Sequence, residues 1–255
     1  EASSSSTFVP GNTISIEAGY DNKNTVIFEG IITGQSLRVD NNIGSALIVE
    51  CRDEAVKMIV GRKSLTFSQK TDSDIMSSII GTYSGLSADV TSTSTEWPEQ
   101  VQYYATDWDF VMARAEANGF VVNVSNGKVT VGAPDADTSS VLTIAYGNNL
   151  YEFNADLNSL NQLSSVKASS WDFKTQAIID GESNNSNDGP GNLSSKTRSE
   201  VVGLSDYALQ TAANLASADL TNWTKAELVK SSFSKIQGEL KVQGSSLLEP
   251  GKYIT

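Results

Sequence analysis

The sequence predicts an α+β fold in which strands predominate, and three features carry that prediction. β-branched runs that alternate with polar residues recur at hairpin spacing from Thr13 to Cys51. A capped helix is predicted to begin after Thr106 and to end at Asn118-Gly119, and Asn126-Gly127 then marks a tight hairpin. Short strands at this spacing are typical of a β-barrel or a β-sandwich.

The N-terminal third reads as strands followed by a helix. Turn clusters at Gly19–Asn24 and Asp40–Gly44 separate the predicted strands. A capped helix is predicted over Thr71–Tyr83, with Asp72 or Thr71 as its N-cap and an apolar stripe that must pack against another element. The stripe consists of Ile75, Met76, Ile79, Ile80 and Tyr83. The polar link Ser84–Glu96 follows, and a boundary is predicted near residue 90.

The central stretch is the best specified part of the chain. A strand is predicted over Val101–Ala105, and Thr106 is the predicted N-cap of the helix that follows. Asp107 and Asp109 place carboxylates in the first turn, where the helix dipole favours them. The predicted apolar stripe of this helix consists of Trp108, Val111, Met112 and Ala115.

The C-terminal half is predicted to mix strands, two helices and a long polar loop. In chain order we predict a loop at 132–140, strands at 141–146 and 150–153, a turn region at 154–160, a strand pair or one bent strand at 166–179, a mobile loop at 181–195, helices at 201–215 and 222–233, and strands at 235–242 and 247–254.

The amino-acid composition limits the classes of function that the chain can have. The chain has 255 residues, 39% of them hydrophobic, which is enough for one large or two modest domains. Its net charge of −12 provides no basic footprint for nucleic acid. No run approaches the roughly 20 apolar residues of a membrane-spanning helix, so we expect no stable membrane insertion. The single Cys51 excludes an internal disulfide and is predicted to be buried.

The sequence offers few side chains suited to catalysis or metal binding. The chain contains no His, which excludes His-based triads and most transition-metal sites. The carboxylate pairs Asp107/Asp109 and Asp72/Asp74 are interpreted as helix-start charges, and Asp135/Asp137 as a solvated loop. The calcium-like fragments at 135–137 and 184–188 lack a closing acid. We therefore predict no catalytic, cofactor-binding or metal-ligating residues, no cofactor and no enzymatic activity.

The aromatic side chains leave two readings open. They could line a sugar-binding face, but because they are dispersed over separate elements, core or interface positions are favoured. The residues concerned are Trp97, Tyr103, Tyr104, Trp108, Trp171 and Trp223.

The central stretch also resembles a signature of VgrG-type spike proteins and contractile-phage baseplate hubs. The matching residues are Gln102, Tyr103, Thr106, Asp107, Asp109, Phe110, Arg114, Glu116 and Gly119. Two further segments resemble the same family: Phe28–Thr33 with the short helical segment at 52–58, and the strand, turn and Pro-Gly segment at 236–254. The resemblance covers most of residues 25–255 in the family's order.

The resemblance implies two β-barrel hub domains joined by a small strand-helix-hairpin segment. The implied limits are residues 1–90 for the first barrel with its following helix, 91–150 for the connecting segment and 151–255 for the second barrel. Both barrels are expected to be incomplete, because we expect the sequence to be a piece of a longer chain.

By the same resemblance, the chain is expected to be a trimeric adaptor between a hexameric, Hcp-like tail tube and a central spike. Implied partners are the tube protein, spike-tip or effector proteins and other baseplate proteins, and implied locations are the bacterial cytoplasm during assembly and then the secreted particle. Whether the particle is a phage tail, a type VI secretion system or an extracellular injection particle stays open. The alternative is a non-enzymatic, β-rich carbohydrate-binding or adhesin module.

Overall fold

The computed structural model describes residues 6–41, 44–134, 139–184, 195–204 and 206–255. Strands take 48% and helices 23% of the structure, which confirms the mainly β class. The described strands form sheets of two or three strands and no closed barrel, so the two barrels stay a prediction. Most of the predicted loop at 181–195 and the Asp135/Asp137 pair lie outside the described residues.

Fifteen strands and four α-helices are described, together with short 3-10 turns at Ser6–Phe8 and Glu54–Ile59. The strands are β1 (Thr13–Tyr20), β2 (Lys23–Asp40), β3 (Gly44–Arg52), β4 (Arg62–Thr71), β5 (Ser87–Val90), β6 (Glu96–Thr106), β7 (Val121–Ser125), β8 (Lys128–Gly132), β9 (Ser140–Leu142), β10 (Leu150–Leu157), β11 (Ser165–Asp172), β12 (Ala177–Asn184), β13 (Tyr207–Thr211), β14 (Ile236–Val242) and β15 (Tyr253–Ile254). The helices are α1 (Asp72–Ile80), α2 (Asp107–Ala117), α3 (Ser195–Val202) and α4 (Ser217–Phe233).

The chain divides into two compact units. The first comprises Glu1–Met112, Val122–Gly132 and Ser245–Lys252, and the second comprises Ala113–Val121, Ala133–Gly244 and Tyr253–Thr255. The domain limits expected at residues 90 and 150 stay a prediction.

The first unit contains three small sheets. β1, β2 and β3 form an antiparallel meander, and the ends of these strands fall within the two predicted turn clusters. β4 pairs with β6, and β5, β8 and β7 form a third sheet in which β5 runs parallel to β8. The Asn126-Gly127 hairpin is confirmed, with both residues at positive φ as a tight primed turn requires.

Helix α1 supplies the core of the first unit. Of the two predicted caps, Thr71 is the N-cap, and it forms a capping box with Asp74. Ile75, Met76 and Ile80 are fully buried, so the apolar stripe does pack inward. The helix ends at Ile80 rather than at Tyr83, which lies in the turn that follows.

The buried face of α2 differs from the predicted one. Met112 is 38% exposed, whereas Phe110, Val111 and Ala115 are buried. The reason lies at the helix start, where Asp107 is itself buried at 1% exposure. Positions three, four and eight residues after an inward-facing residue lie on its face of a helix, and these are the buried ones. A polar anchor therefore sets the rotation of this helix.

The second unit is organised around β11, which pairs antiparallel with β12 and parallel with β13. Helix α4 packs on this sheet, with Leu220 fully buried beside Gly181 of β12. Gly181 of β12 permits that contact, because a Cβ there would lie 2.6 Å from the backbone N of Thr221. The prediction of a loop from Gly181 was wrong for residues 181–184, which extend β12 and pair with β11.

The strands predicted at 141–146 and 247–254 were wrong over most of their length, since β9 ends at Leu142 and β15 comprises only Tyr253–Ile254. Two more predictions were also wrong. The helix predicted over 201–215 is replaced by the end of α3 at Val202, a Gly203 at φ +68° and strand β13. The turn region predicted at 154–160 is replaced as far as Leu157 by β10, which pairs with β14. In both cases pairing with a strand distant in sequence overrides the local pattern.

Candidate assembly interface

Two of the signature residues, Gln102 and Asp107, meet in a cluster around a buried carboxylate in the first unit. The Lys63 ammonium and the Tyr83 hydroxyl each donate to Oδ2 of Asp107 at 2.6 Å. The side-chain amide of Gln102 donates to Oδ1 at 2.8 Å and to the Ala105 carbonyl at 3.0 Å. The cluster thereby joins β4, the turn after α1, β6 and the first residue of α2.

Electrostatics favour the ionised form of Asp107. Burial by itself would raise the pKa of this carboxyl, but the hydrogen bonds from Gln102, Lys63 and Tyr83 outweigh burial and hold the pKa below its ordinary value of 3.8. The same contact to Asp107 raises the pKa of Lys63, although burial opposes this shift. The pKa of the Tyr83 phenol is also raised, mainly by burial and to a smaller extent by the hydrogen bond to Asp107. The cluster is a charged clamp at neutral pH.

Most other signature residues have structural roles. The Thr106 hydroxyl accepts from the backbone N of Asp109 at 3.0 Å, which confirms the predicted N-cap. The Phe110 ring stacks on Phe67 with centroids 5.9 Å apart. Glu116 forms an ion pair with Lys230 in the second unit. Arg114 lies in the last turn of α2 and is half-buried.

Among the signature residues, Gly119 occupies the position that least tolerates a side chain. Its φ is +68°, and a Cβ there would lie 3.1 Å from Cα of Ala226 on α4. Glycine therefore both ends α2 in the left-handed region and lets the chain approach α4 closely.

Of the other predicted carboxylate pairs, the structure describes Asp72/Asp74, and both residues make local structural contacts. Asp72 is 3% exposed and accepts the Trp97 indole N–H at 3.0 Å, while Asp74 completes the α1 capping box. No group of three or more Cys, Asp or Glu residues in the described part of the chain is placed to hold a metal ion. Cys51 is a free, half-buried thiol.

The aromatic residues divide by exposure. Tyr103, Tyr104 and Trp171 are exposed, whereas Trp97, Trp108 and Trp223 are half-buried. The Tyr104 ring lies against the guanidinium of Arg62, 5.1 Å from its centroid.

An uncovered apolar face lies on the ribbon that β10 and β14 form in the second unit. Phe153 pairs with Leu240, Ala155 with Gly238 and Leu157 with Ile236. Directly paired residues share a face and alternate along each strand, so these six residues lie on one side of the ribbon. The exposed fractions are 62% for Phe153, 52% for Leu157, 48% for Ile236 and 41% for Leu240. We call this side the ribbon face.

The opposite side of the ribbon is polar. Glu152 pairs with Lys241, Asn154 with Glu239 and Asp156 with Gln237. An isolated two-stranded ribbon is at best marginally stable in water, and strands alternate in this way when one face is to be covered. The ribbon face is therefore the strongest candidate for contact with another chain or segment.

The first unit has a smaller surface of the same kind at the end of the β2–β3 hairpin. Leu37 pairs with Leu47, and Val39 lies two residues further along the same side. Leu37 is 60% and Val39 is 74% exposed. The hairpin tip therefore presents a second apolar patch to solvent.

The sequence contains a signal for the ribbon face that the predictions above missed. Phe153, Ala155 and Leu157 alternate with polar residues, and so do Ile236 and Leu240. Period-two alternation over these residues indicates strands, but the polar Asn and Asp residues between them are also typical of turns. For the buried Asp107, no local pattern distinguishes it from an ordinary helix-start carboxylate.

Comparison with known proteins identifies both a family and a fold. The model of the family described as the Alg8 N-terminal domain matches residues 1–255. A search of curated protein sequences finds no match. None of the helices in the described part of the chain combines the length and apolar character that crossing a membrane requires.

Solved structures of two tail proteins share the fold. A tail protein from Neisseria meningitidis aligns with a TM-score of 0.64 and 15% identity, over 90% of this chain and 69% of its own length. The 43 kDa tail protein of prophage MuSo2 from Shewanella oneidensis aligns with a TM-score of 0.61 and 13% identity, over 86% of this chain and 63% of its own length. The chain thus has a phage tail-protein fold and spans about two thirds of these relatives.

A type VI secretion component from E. coli gives a weaker alignment, with a TM-score of 0.45 and 13% identity over 56% of this chain and 42% of its own length. Specific membership of the VgrG-type family stays a prediction.

Proposed function

Because the chain belongs to the Alg8 N-terminal domain family and has the fold of phage tail proteins, we propose that it is a structural component of a phage-tail-like particle. In finer detail, we propose a non-enzymatic hub in which three copies join a hexameric tail tube to a central spike. The hub domains would comprise residues 1–90 and 151–255, with 91–150 between them.

The observation that carries this proposal is the ribbon face. Four large apolar side chains lie on one side of a two-stranded ribbon, with charged and amide side chains on the other. Fully burying a side chain of this size contributes about 1.5–3 kcal/mol, so covering the ribbon face in an assembly would be strongly favourable. We propose that it contacts a neighbouring copy of the chain within the ring.

The proposed partners and location follow from the resemblance to baseplate hubs. They are the tube protein, spike-tip or effector proteins and other baseplate proteins, with assembly in the bacterial cytoplasm followed by secretion of the particle. The net charge of −12 supports a protein partner rather than nucleic acid.

The oligomeric state of the 255-residue chain tests the proposal. Light scattering should give the mass of a trimer, and electron microscopy should show threefold symmetry. Phe153→Ser with Leu240→Ser should shift the mass to that of the monomer, because both changes remove apolar area from the ribbon face. Glu152→Ser with Glu239→Ser, on the polar side of the same ribbon, is the matched control and should leave the trimer intact. A monomeric wild-type chain, or equal loss of mass in both variants, would contradict the hub.

The sequence leaves a carbohydrate-binding module as the alternative function. This alternative predicts sugar binding by a monomer, which the hub does not. Retention of a sugar on a glycan array by a monomeric chain, abolished by Tyr103→Ala, would favour it. The described aromatics give it little support, because Tyr103 and Tyr104 are exposed neighbours on one strand and Tyr104 already lies against Arg62.

A further inference from the structure

A further exposed apolar surface lies in the second unit, at the end of the β11–β12 hairpin. Trp171 of β11 pairs with Ile178 of β12, and Phe173 lies in the turn that joins the two strands. The exposed fractions are 45% for Trp171, 64% for Ile178 and 64% for Phe173. We call these three residues the aromatic tip. Exposed clusters with large aromatic side chains are typical of contact surfaces.

The aromatic tip lies on the side of its sheet that faces away from α4. Ala168 and Ser170 of β11 are buried. Gly181 pairs with Ala168, and a Cβ on Gly181 would lie 2.7 Å from Cβ of Leu220 on α4. Helix α4 therefore packs on the side that Ala168 and Ser170 share. Because side chains alternate along a strand, Trp171 points to the other side.

The turn that presents the aromatic tip is held by hydrogen bonds to Asp172. The Asp172 carboxylate accepts from the Thr175 hydroxyl at 2.7 Å and from the backbone N of Lys174 at 2.9 Å. The side-chain amide of Asn214, which follows β13, donates to the same carboxylate at 3.4 Å. The turn is thus pre-formed, and a pre-formed surface loses little conformational entropy when it binds.

The ribbon face has a recess that suits an aromatic side chain. Its smallest pair, Ala155 with Gly238, lies between two pairs of large apolar residues. Four residues of a strand span about 13 Å, so the distance along β10 between the large side chains on either side of Ala155 leaves room for one ring. The large pairs are Phe153 with Leu240 and Leu157 with Ile236.

A second copy of the chain is the partner that both surfaces fit. Both belong to the second unit and both are exposed within one copy, so neither covers the other there. Around a threefold axis, neighbouring copies meet through two different surfaces, because a twofold axis is needed to bring a surface onto itself. In a trimeric ring, the ribbon face therefore requires a different apolar surface of the next copy.

The charges of the two surfaces are complementary. Lys174 in the turn of the aromatic tip is exposed. On the polar side of the ribbon, the carboxylates of Glu152, Asp156 and Glu239 outnumber the ammonium of Lys241. The stem of a lysine can lie along an apolar surface while its ammonium reaches carboxylates at the rim, which favours this orientation of the two copies.

The area of the two surfaces is that of an interface core. Aromatic side chains bury roughly 150–250 Å² each, so the seven large apolar side chains of the aromatic tip and the ribbon face expose about 700 Å² together. Stable interfaces bury at least about 1,200 Å² in total and have a polar rim around an apolar core. The seven side chains supply such a core, and the polar residues beside them supply the rim.

We propose that the aromatic tip of one copy docks on the ribbon face of the next copy, with Phe173 in the recess over Ala155 and Gly238. This inference rests on the ring of identical copies proposed above and names the second surface of each contact. The same contact repeats from copy to copy until the ring closes.

Cross-linking of the 255-residue chain in a Cys51→Ser background tests the contact. One form of the chain carries Phe173→Cys and another carries Ala155→Cys, and a short bismaleimide joins thiols that lie close together. The two forms should give a cross-linked pair when they are co-expressed, and neither should cross-link when it is expressed alone. Lys225→Cys, on the exposed surface of α4, replaces Phe173→Cys in the matched control and should not cross-link to Ala155→Cys.

Light scattering provides a second measurement. Phe173→Ser with Ile178→Ser should lower the mass from that of the trimer to that of the monomer, because both changes remove apolar area from the aromatic tip. Asp180→Ser with Glu182→Ser is the matched control, since these exposed residues lie on the same side of β12 as Ile178. The control should retain the mass of the trimer.

The outcomes separate this inference from the proposed hub. A trimeric wild type that gives no cross-link between Phe173→Cys and Ala155→Cys, or whose Phe173→Ser with Ile178→Ser variant stays trimeric, would overturn the docking and leave the hub intact. Cross-linking of either form on its own would indicate contact between like surfaces and would also overturn the docking. A monomeric wild type would overturn both the docking and the hub.

Discussion

Replacing Asp107 with Asn should destabilise the first unit. Among the carboxylates in the first turns of α1 and α2, Asp107 should have the largest effect on stability. The carboxylate accepts three hydrogen bonds, at 2.6, 2.6 and 2.8 Å, and its side chain is 1% exposed. The amide nitrogen of Asn would have to face either the Gln102 amide donor or the Lys63 and Tyr83 donors. One donor is thus always opposed by another, and the charge that compensates Lys63 is removed.

The size of the expected loss in stability follows from the hydrogen-bond partners of Asp107. Hydrogen bonds to a charged group contribute about 1.5–3 kcal/mol each, but the Lys63 side chain is 41% exposed, so solvent screens its share. We therefore expect a loss of about 2–3 kcal/mol in the free energy of unfolding, well below the sum of three separate bonds. The carboxyl-to-amide change preserves volume, which excludes a cavity as the cause.

Urea unfolding followed by tryptophan fluorescence measures this loss, because Trp97 and Trp108 both lie in the first unit. Asp109→Asn is the matched control: it lies two residues further along α2, is exposed, and should cost less than about 0.5 kcal/mol. A loss below about 0.5 kcal/mol for Asp107→Asn, or an equal loss for Asp109→Asn, would refute the clamp.

Two further predictions concern pH and glycine. The lowered pKa of Asp107 means that its ionised form stabilises the fold above the unfolded-state pKa of about 3.9, and that this stability is lost as pH falls through the folded-state pKa. The difference in unfolding free energy between wild type and Asp107→Asn should therefore be constant from pH 7 to about pH 5 and shrink below about pH 4; a constant difference down to pH 2.5 would contradict an ionised Asp107. Gly119→Ala should cost about 2–4 kcal/mol, against about 1 kcal/mol for Gly203→Ala, because both have φ +68° but only Gly119 would crowd Ala226. Chemical denaturation of the two variants checks this, and equal costs would show that the approach to α4 is not tight.

Several elements were predictable because their signals are local. The N-cap of α1, the Thr106 cap and the Asn126-Gly127 turn each depend on contacts within four residues, which the sequence displays directly. The α1 stripe was predictable for the same reason, since helical spacing alone decides which residues share a face.

The predictions that were wrong concern segments whose structure is determined by contacts with residues distant in sequence. The Ala-rich stretch around residue 208 reads as helix, but Tyr207–Thr211 pairs with β11 some forty residues earlier. β10 extends to Leu157 because β14 pairs with it, although Asn154 and Asp156 favour turns. Strand pairing satisfies backbone groups across the chain, and this outweighs weak local preferences.

The sequence by itself determined the mainly β class, the positions of α1, α2 and α4, and the lack of His-based chemistry. Only the tertiary structure decided that Asp107 is a buried clamp and that one side of the β10–β14 ribbon is apolar and uncovered. The physical reason is the range of the interactions. Caps, turns and helical stripes act over a few residues, whereas burial, cross-strand register and the pairing of charges depend on residues that only the folded chain brings together.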